Sequence, residues 1–140
     1  MNHIAFALSG LLFIGAPPAA SQSFTGTYRG SLWNGGQDSP STTKLETGPN
    51  QTLSGEYSFE ERDGRITTGS LDMCRIEAYV LTCRWRDTYG TGLIRMEFDS
   101  SFCTFRGQWT TTIVSNHWSY WNGSRGCTPV ASANVALQQF

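Results

Sequence analysis

Leu53-Ser54-Gly55-Glu56-Tyr57-Ser58-Phe59 alternates without a break, with an apolar residue or glycine at every odd position and a polar one at every even position. A repeat of two is the side-chain period of a β-strand, and this pattern puts one face on a core and the other in water. The alternation recurs outward from this stretch. Tyr79, Leu81, Cys83 and Trp85 share a face opposite Thr82, Arg84 and Arg86. Ile94, Met96 and Phe98 alternate with Arg95 and Glu97, and Phe105, Gly107, Trp109, Thr111 and Ile113 lie opposite Arg106, Gln108 and Thr110. After the leading apolar segment, no stretch carries a helical period.

A second regularity sits on these segments. A small residue precedes a large aromatic by two places in Gly26-Thr27-Tyr28, Gly55-Glu56-Tyr57, Cys83-Arg84-Trp85 and Gly107-Gln108-Trp109, and the order is reversed in Trp121-Asn122-Gly123. Each pair shares a face, so a ring can lie over the glycine of its own or a neighbouring strand. Turn signals fall between the runs: Asn34-Gly35-Gly36, Gly48-Pro49-Asn50, Asp63-Gly64 as a two-residue hairpin turn, and Tyr89-Gly90-Thr91-Gly92. The spacing predicts an all-β fold, an antiparallel up-and-down meander of about eight strands closing into a small barrel or flattened barrel. Residues 34–42 read as the longest polar loop. Residues 124–140 hold either a last strand near 135–137 or a tail.

The four cysteines, Cys74, Cys83, Cys103 and Cys127, follow the same geometry. A two-residue loop at Ala78-Tyr79 pairs Glu77 with Val80 and brings Cys74 opposite Cys83, with Cα atoms ~4.5 Å apart in a non-hydrogen-bonded pair. A four-residue loop keeps the facing and changes the pair type. A hairpin turning about Ser115 aligns Cys103 with Cys127, Gly107 with Gly123 and Trp109 with Trp121. These registers predict disulfides 74–83 and 103–127. Zinc would call for close C-x-x-C pairs or histidine partners, and His117 is the one histidine beyond residue 20.

The chain opens on a nearly continuous apolar run, Ile4 to Ile14, followed by Ala16-Pro17-Pro18-Ala19-Ala20. This has the form of a signal peptide over residues 1–20, cleaved near Ala20/Ser21, although it lacks Lys and Arg. The run is shorter than the ~20 residues that span a bilayer. Expected after it are a single barrel-like domain over 22–128 and a strand or tail over 129–140. A secreted or periplasmic location fits an even cysteine count. The net charge of −1 gives no general attraction for nucleic acid or an anionic membrane.

The candidate site residues are aromatic. Tyr28, Tyr57, Trp85, Phe98, Trp109 and Trp121 face the barrel interior, with Leu81, Met96 and Phe105. Such bulky residues either fill the barrel or line a small ligand cavity. Trp118 and Tyr120 fall on the face opposite Trp109 and Trp121, and Trp33 precedes a turn, so these three are candidate contacts for a sugar or protein partner. Catalytic residues and cofactors are not expected: His117 stands alone in a turn, and a triad needs a histidine held by a carboxylate. No metal site is expected either. Glu60, Glu61 and Asp63 mark a charged hairpin tip whose carboxylates suit at most a loose Ca²⁺ contact. Glu56, Asp87, Glu97 and Asp99 with Arg84, Arg86, Arg95 and Arg106 read as surface ion pairs. Asn50-Gln51-Thr52 and Asn122-Gly123-Ser124 match the glycosylation sequon.

Gly26-Thr27-Tyr28 on the first strand, with Arg125 near the end of the last, resembles the layout of the calycin barrels (lipocalins and avidins), where a G-x-W packs near a late basic residue. Tyr28 stands here in place of the tryptophan. The resemblance implies a small closed barrel and carries no particular ligand. Residues 83–109, from Cys83-Arg84-Trp85 through Gly90-Thr91-Gly92 to Gly107-Gln108-Trp109, look like one MORN-type hairpin unit with Cys83 in a glycine position. The expectation is an exported non-catalytic binding protein, taking a small apolar ligand in the barrel or an extracytoplasmic protein or glycan through exposed aromatics. The alternatives are a small secreted inhibitor or envelope interaction protein with a solid core, and an enzyme of another kind.

Overall fold

The structure, a computed structural model, describes residues 19–111 and 116–127. The leader reading, apart from its end at Ala19–Ala20, and the strand-or-tail reading of 129–140 lie outside the described residues. A short helix α1 (Ala19–Phe24) precedes eight strands: β1 (Gly26–Asn34), β2 (Gln37–Thr47), β3 (Leu53–Glu60), β4 (Ile66–Glu77), β5 (Val80–Asp87), β6 (Gly90–Phe98), β7 (Thr104–Thr110) and β8 (Ser119–Ser124). Each strand pairs antiparallel with the next, and β8 returns to β1 through Arg29↔Ser124 to Leu32↔Trp121. The meander is therefore a closed eight-stranded barrel.

The rings settle over glycines of the neighbouring strand. Tyr57 pairs with Gly69, Trp85 with Gly92 and Phe105 with Gly123. A Cβ on Gly92 would collide with the Thr110 carbonyl oxygen and come within 2.7 Å of Trp85 Nε1, so only glycine admits the indole there. In these three pairs a large ring lies against a residue without a side chain, which makes room for it inside a narrow barrel.

This packing corrects the register expected for β7 and β8. Gly107 faces Trp121, Trp109 faces Ser119, and Phe105 faces Gly123. The shift is two residues, so every side chain keeps its face. The Cys103–Cys127 bridge forms just beyond the two strand ends, with Cα atoms 5.6 Å apart. The Ala78-Tyr79 loop is two residues long, as expected, with Ala78 at φ 53°. Cys74 and Cys83 are bridged, with Cα atoms 4.0 Å apart beside an irregularity between Asp72 and Arg75 where Met73 takes φ 49°.

Three loop readings also change. Residues 37–42 belong to β2, whose inward residues Ser39, Ser41 and Thr43 are small and polar but buried. The hairpin tip between β3 and β4 has three residues, Arg62-Asp63-Gly64, inside a closing bond from Glu61 N–H to Arg65 O, with Gly64 at φ 85°. The β5–β6 loop is Thr88-Tyr89, and Gly90, Thr91 and Gly92 begin β6.

One end of the barrel is closed. Phe24 of α1 is buried and meets Phe98 and Phe102 edge-on, each at 4.9 Å between ring centroids. Tyr28 lies against Phe98 and Phe105 in the same layer. Leu45, Leu71, Leu81, Cys83, Ile94 and Met96 fill the buried core. At the opposite end Gly35-Gly36, Arg62-Asp63-Gly64 and Thr88-Tyr89 connect the strands.

Candidate ligand-binding mouth of the barrel

At that opposite end lies a cavity of about 300 Å³. Its wall is built from inward positions at the ends of five strands: Leu32 of β1, Tyr57 and Phe59 of β3, Trp85 and Asp87 of β5, Trp109 of β7 and Trp121 of β8. Tyr89, in the β5–β6 loop, stands at the rim and is 63% exposed. The rings brace one another. Tyr57 meets Trp121 edge-on at 4.7 Å and stacks with Phe59 at 6.4 Å, and Trp85 meets Trp109 edge-on at 5.6 Å. Edge-to-face contacts of this kind fix ring positions as well as bury area.

The polar handle of each wall ring is already engaged. Trp85 Nε1 donates to the Thr110 carbonyl at 3.0 Å, Trp121 Nε1 to Thr43 Oγ1 at 2.9 Å and Trp109 Nε1 to the Trp33 carbonyl at 3.2 Å. The Tyr57 hydroxyl donates to Asp87 Oδ2 at 2.6 Å. Burial, then the bond to Asp87 and its charge, push the Tyr57 phenol far above its ordinary range, so it stays a donor. Asp87 Oδ1 accepts the Tyr89 backbone N–H at 2.7 Å. The Tyr89 hydroxyl donates to Glu61 Oε1 at 2.6 Å, and that bond outweighs partial desolvation to hold the Glu61 carboxyl below its ordinary value.

The Tyr57–Asp87 bond spans a slit. The β4–β5 ladder ends at Ser70↔Arg86, so Ile66 to Gly69 pair only with β3, and Asp87 pairs only with β6. Tyr57 crosses the slit over Gly69. A larger hollow of about 770 Å³ lies on the outer side, against Thr42, Lys44, Glu56, Ser70 and Arg86, and Tyr57 and Asp87 line it as well. It is an open saddle on the polar face of the sheet. The mouth, smaller but walled by rings, is the better enclosure for a ligand.

The expected interior residues Tyr28, Tyr57, Trp85, Phe98 and Trp121 are buried as expected. Trp109 is half-buried at the mouth and packs against the core from the rim, one residue before the end of β7. Tyr57, Trp85, Trp109 and Trp121 meet at the mouth, whereas Tyr28 and Phe98 belong to the closed end. Of the candidate surface aromatics, Trp33 is 38% exposed and Trp118 41%. Tyr120 is half-buried, meets Trp33 at a tilt of 45° with ring centroids 6.0 Å apart, and donates its hydroxyl to Asp38 Oδ1. Trp33 and Tyr120 thus form one patch on the outer wall of the rim.

The expected outer row of ion pairs is realised in part and misplaced in part. Arg84 makes a two-point pair with Asp72 at 2.7 and 2.8 Å, and Arg95 pairs with Glu97. Asp99 instead organises the turn before β7, accepting the backbone N–H groups of Cys103 and Thr104. Asp87 points inward. Its parity with Leu81, Cys83 and Trp85 was the available signal, since odd positions of β5 face the core. Tyr89 carries no such signal, being in a loop. At the charged hairpin tip Asp63 pairs with Arg65 at 2.6 Å, while Glu61 serves Tyr89 and Thr67. Among the described residues, no group of three or more potential metal ligands comes together. Asn50 of the first sequon is exposed, and Asn122 of the second lies within β8, half-buried.

Fold and mouth together define a small disulfide-bonded antiparallel barrel with one end closed and an aromatic cavity at the other. No protein-family model matches the sequence and no curated protein is similar to it.

Proposed function

We propose that this chain is an exported, non-catalytic binding protein that takes a small, largely apolar ligand at the open mouth of its barrel. The observation that carries this reading is the cavity of about 300 Å³ walled by Tyr57, Phe59, Trp85, Trp109 and Trp121. Its volume is at the lower end of ligand sites, which suits a molecule of few heavy atoms. The rings are held by their own hydrogen bonds and edge-on contacts above the buried core cluster, so they are positioned before a ligand arrives. Asp87, the carboxylate in the wall, has both oxygens engaged, which favours a structural role over an acid–base one. Two disulfides suit an oxidising compartment, in keeping with the apolar leader. Arg125 lying over Tyr28 supports the likeness to calycin barrels.

Native mass spectrometry of the protein purified from its own host, beside a reduced and refolded sample, tests the reading. The expected result is a mass excess that disappears on refolding and returns with a host extract. A bare chain mass in both samples, with no quenching of tryptophan fluorescence by the extract, overturns it.

A second reading rests on Trp33. Its exposed ring, tilted against Tyr120 and near the rim, offers a platform for a protein or glycan partner. Trp33→Ala separates the two readings, since it abolishes partner capture and leaves the ligand mass unchanged.

A further inference from the structure

We infer that the mouth selects a small organic cation, an ammonium carrying methyl or other short alkyl groups. This rests on the mouth being a binding site and names the chemistry of its occupant. The argument starts from what the wall lacks. Three indole N–H groups and the Tyr57 hydroxyl are spent on Thr110, Trp33, Thr43 and Asp87. The rings therefore turn carbon toward the cavity. An anion or a carbonyl-rich ligand would lose its hydration and meet few donors.

The field is of the opposite sign. Aromatic faces are negative, and they attract an alkylated ammonium most strongly where water is excluded. Asp87 adds a carboxylate to the wall, and Glu61 holds the rim through Tyr89. None of the described residues lining the cavity is Lys or Arg. Arg62 and Arg65 at the neighbouring hairpin tip are committed elsewhere, Arg62 donating to Gln37 Oε1 at 2.8 Å and Arg65 pairing with Asp63, and Arg86 lines the outer saddle and not the mouth. A fully alkylated, quaternary ammonium also needs no hydrogen-bond acceptor for its charged nitrogen, which matches a carboxylate already engaged by Tyr57 and Tyr89. Its methyl groups fill an apolar enclosure while the charge is balanced at a distance.

An isosteric series tests this by calorimetry on the intact protein: choline, its neutral carbon analogue dimethylbutanol, and the carboxylate dimethylbutyrate. The expected order is choline tightest, about tenfold tighter than the alcohol, with the carboxylate weakest. Asp87→Asn, which preserves the shape and removes the charge, narrows the choline-to-alcohol ratio. Should that variant not fold, the series on the unaltered protein still decides the matter. If the alcohol binds as tightly as choline or tighter, the cation inference falls while the apolar-ligand reading stands. If all three fail to bind, the cation inference falls as well, and a host-derived ligand mass then decides whether the mouth binds something else.

Discussion

The guanidinium of Arg125 lies over the ring of Tyr28, with Cζ 5.4 Å from the ring centroid. Arg125 Nη1 also donates to the Thr25 carbonyl at 2.8 Å, and the Tyr28 hydroxyl donates to the Phe24 carbonyl at 2.9 Å. One stack thereby ties the end of β8 to the start of β1 and to α1, across the seam where the barrel closes. Arg125→Ala is expected to cost about 2 kcal/mol, combining a partly desolvated cation–π contact with charged hydrogen bonds. Arg125→Lys recovers only part, because an ammonium lacks the planar fork. Urea unfolding midpoints measure both, and an alanine variant within 0.5 kcal/mol of the parent, about the spread of neutral surface changes, would show that the stack is decorative.

Stability should fall at alkaline pH. Burial, eased by Arg125 and reinforced by Asp99, pushes the Tyr28 phenol up to about 12, and Tyr57 moves the same way. Both folded-state values exceed the ordinary 10.0, so the unfolded chain ionises first. The contribution is intact below pH ~10 and lost as pH rises through ~12, on the order of 2–3 kcal/mol for a two-unit shift. Tyrosinate absorbance should lag in the folded protein and rise with unfolding. Tyr28→Phe should flatten the dependence of unfolding free energy on pH over this window, and an unchanged slope would count against Tyr28 as its source.

The closed end depends on a residue next to the expected leader. A chain beginning at Ser21, as cleavage near Ala20/Ser21 leaves it, keeps Phe24, which is 1% exposed. A chain beginning at Thr25 loses that ring, and Phe24→Ala removes it from the full chain. Either is expected to cost ~3–5 kcal/mol, the usual range for truncating a buried phenylalanine. Equal thermal midpoints for the chains beginning at Ser21 and Thr25 would show that α1 is not needed to close the barrel.

Parity made most of this structure legible, and its failures have causes. Inward and outward faces were readable for Tyr57, Trp85, Trp121 and Tyr120 because alternation survives a register shift of two. The register itself was not readable: pairing glycine with glycine and tryptophan with tryptophan ignores that a barrel interior must fill evenly. β2 was obscured because Ser39, Ser41 and Thr43 point inward, where Thr43 accepts the Trp121 indole, and an apolar pattern cannot report such residues. The mouth emerged only from strand ends meeting in space. Asp87 was recoverable from parity, whereas Tyr89 was not.

Glycine tolerance should separate packing from backbone strain. Gly92→Ala drives a methyl group into the Thr110 carbonyl and the Trp85 indole, both fixed by their mutual hydrogen bond. The expected cost is ~3 kcal/mol or more, since neither neighbour can yield. Gly64→Ala has open space around it and loses only the comfort of φ 85° at a hairpin tip, ~1 kcal/mol. Denaturant unfolding of the two variants should differ severalfold. Equal costs would mean that the Trp85 ring does not seat over β6 in solution.

The two disulfides should open in a fixed order. Cys83 has no exposed surface, and its bridge to Cys74 is part of the core cluster. Cys127 is exposed and Cys103 half-buried, beyond the ends of β7 and β8. A reductant thiolate must reach a sulfur to attack it, so access sets the order when the fold is intact. Mild reduction followed by alkylation and mass analysis should label Cys103 and Cys127 first, with Cys74 and Cys83 protected until the barrel unfolds as a whole. The half-reduced protein should lose ~3–4 kcal/mol, as expected for a bridge spanning 24 residues. Labelling of Cys74 and Cys83 first would place the weakest point of the barrel at the β4 irregularity beside Met73, and would move the expected site of opening from the β7–β8 ends to the β4–β5 ladder.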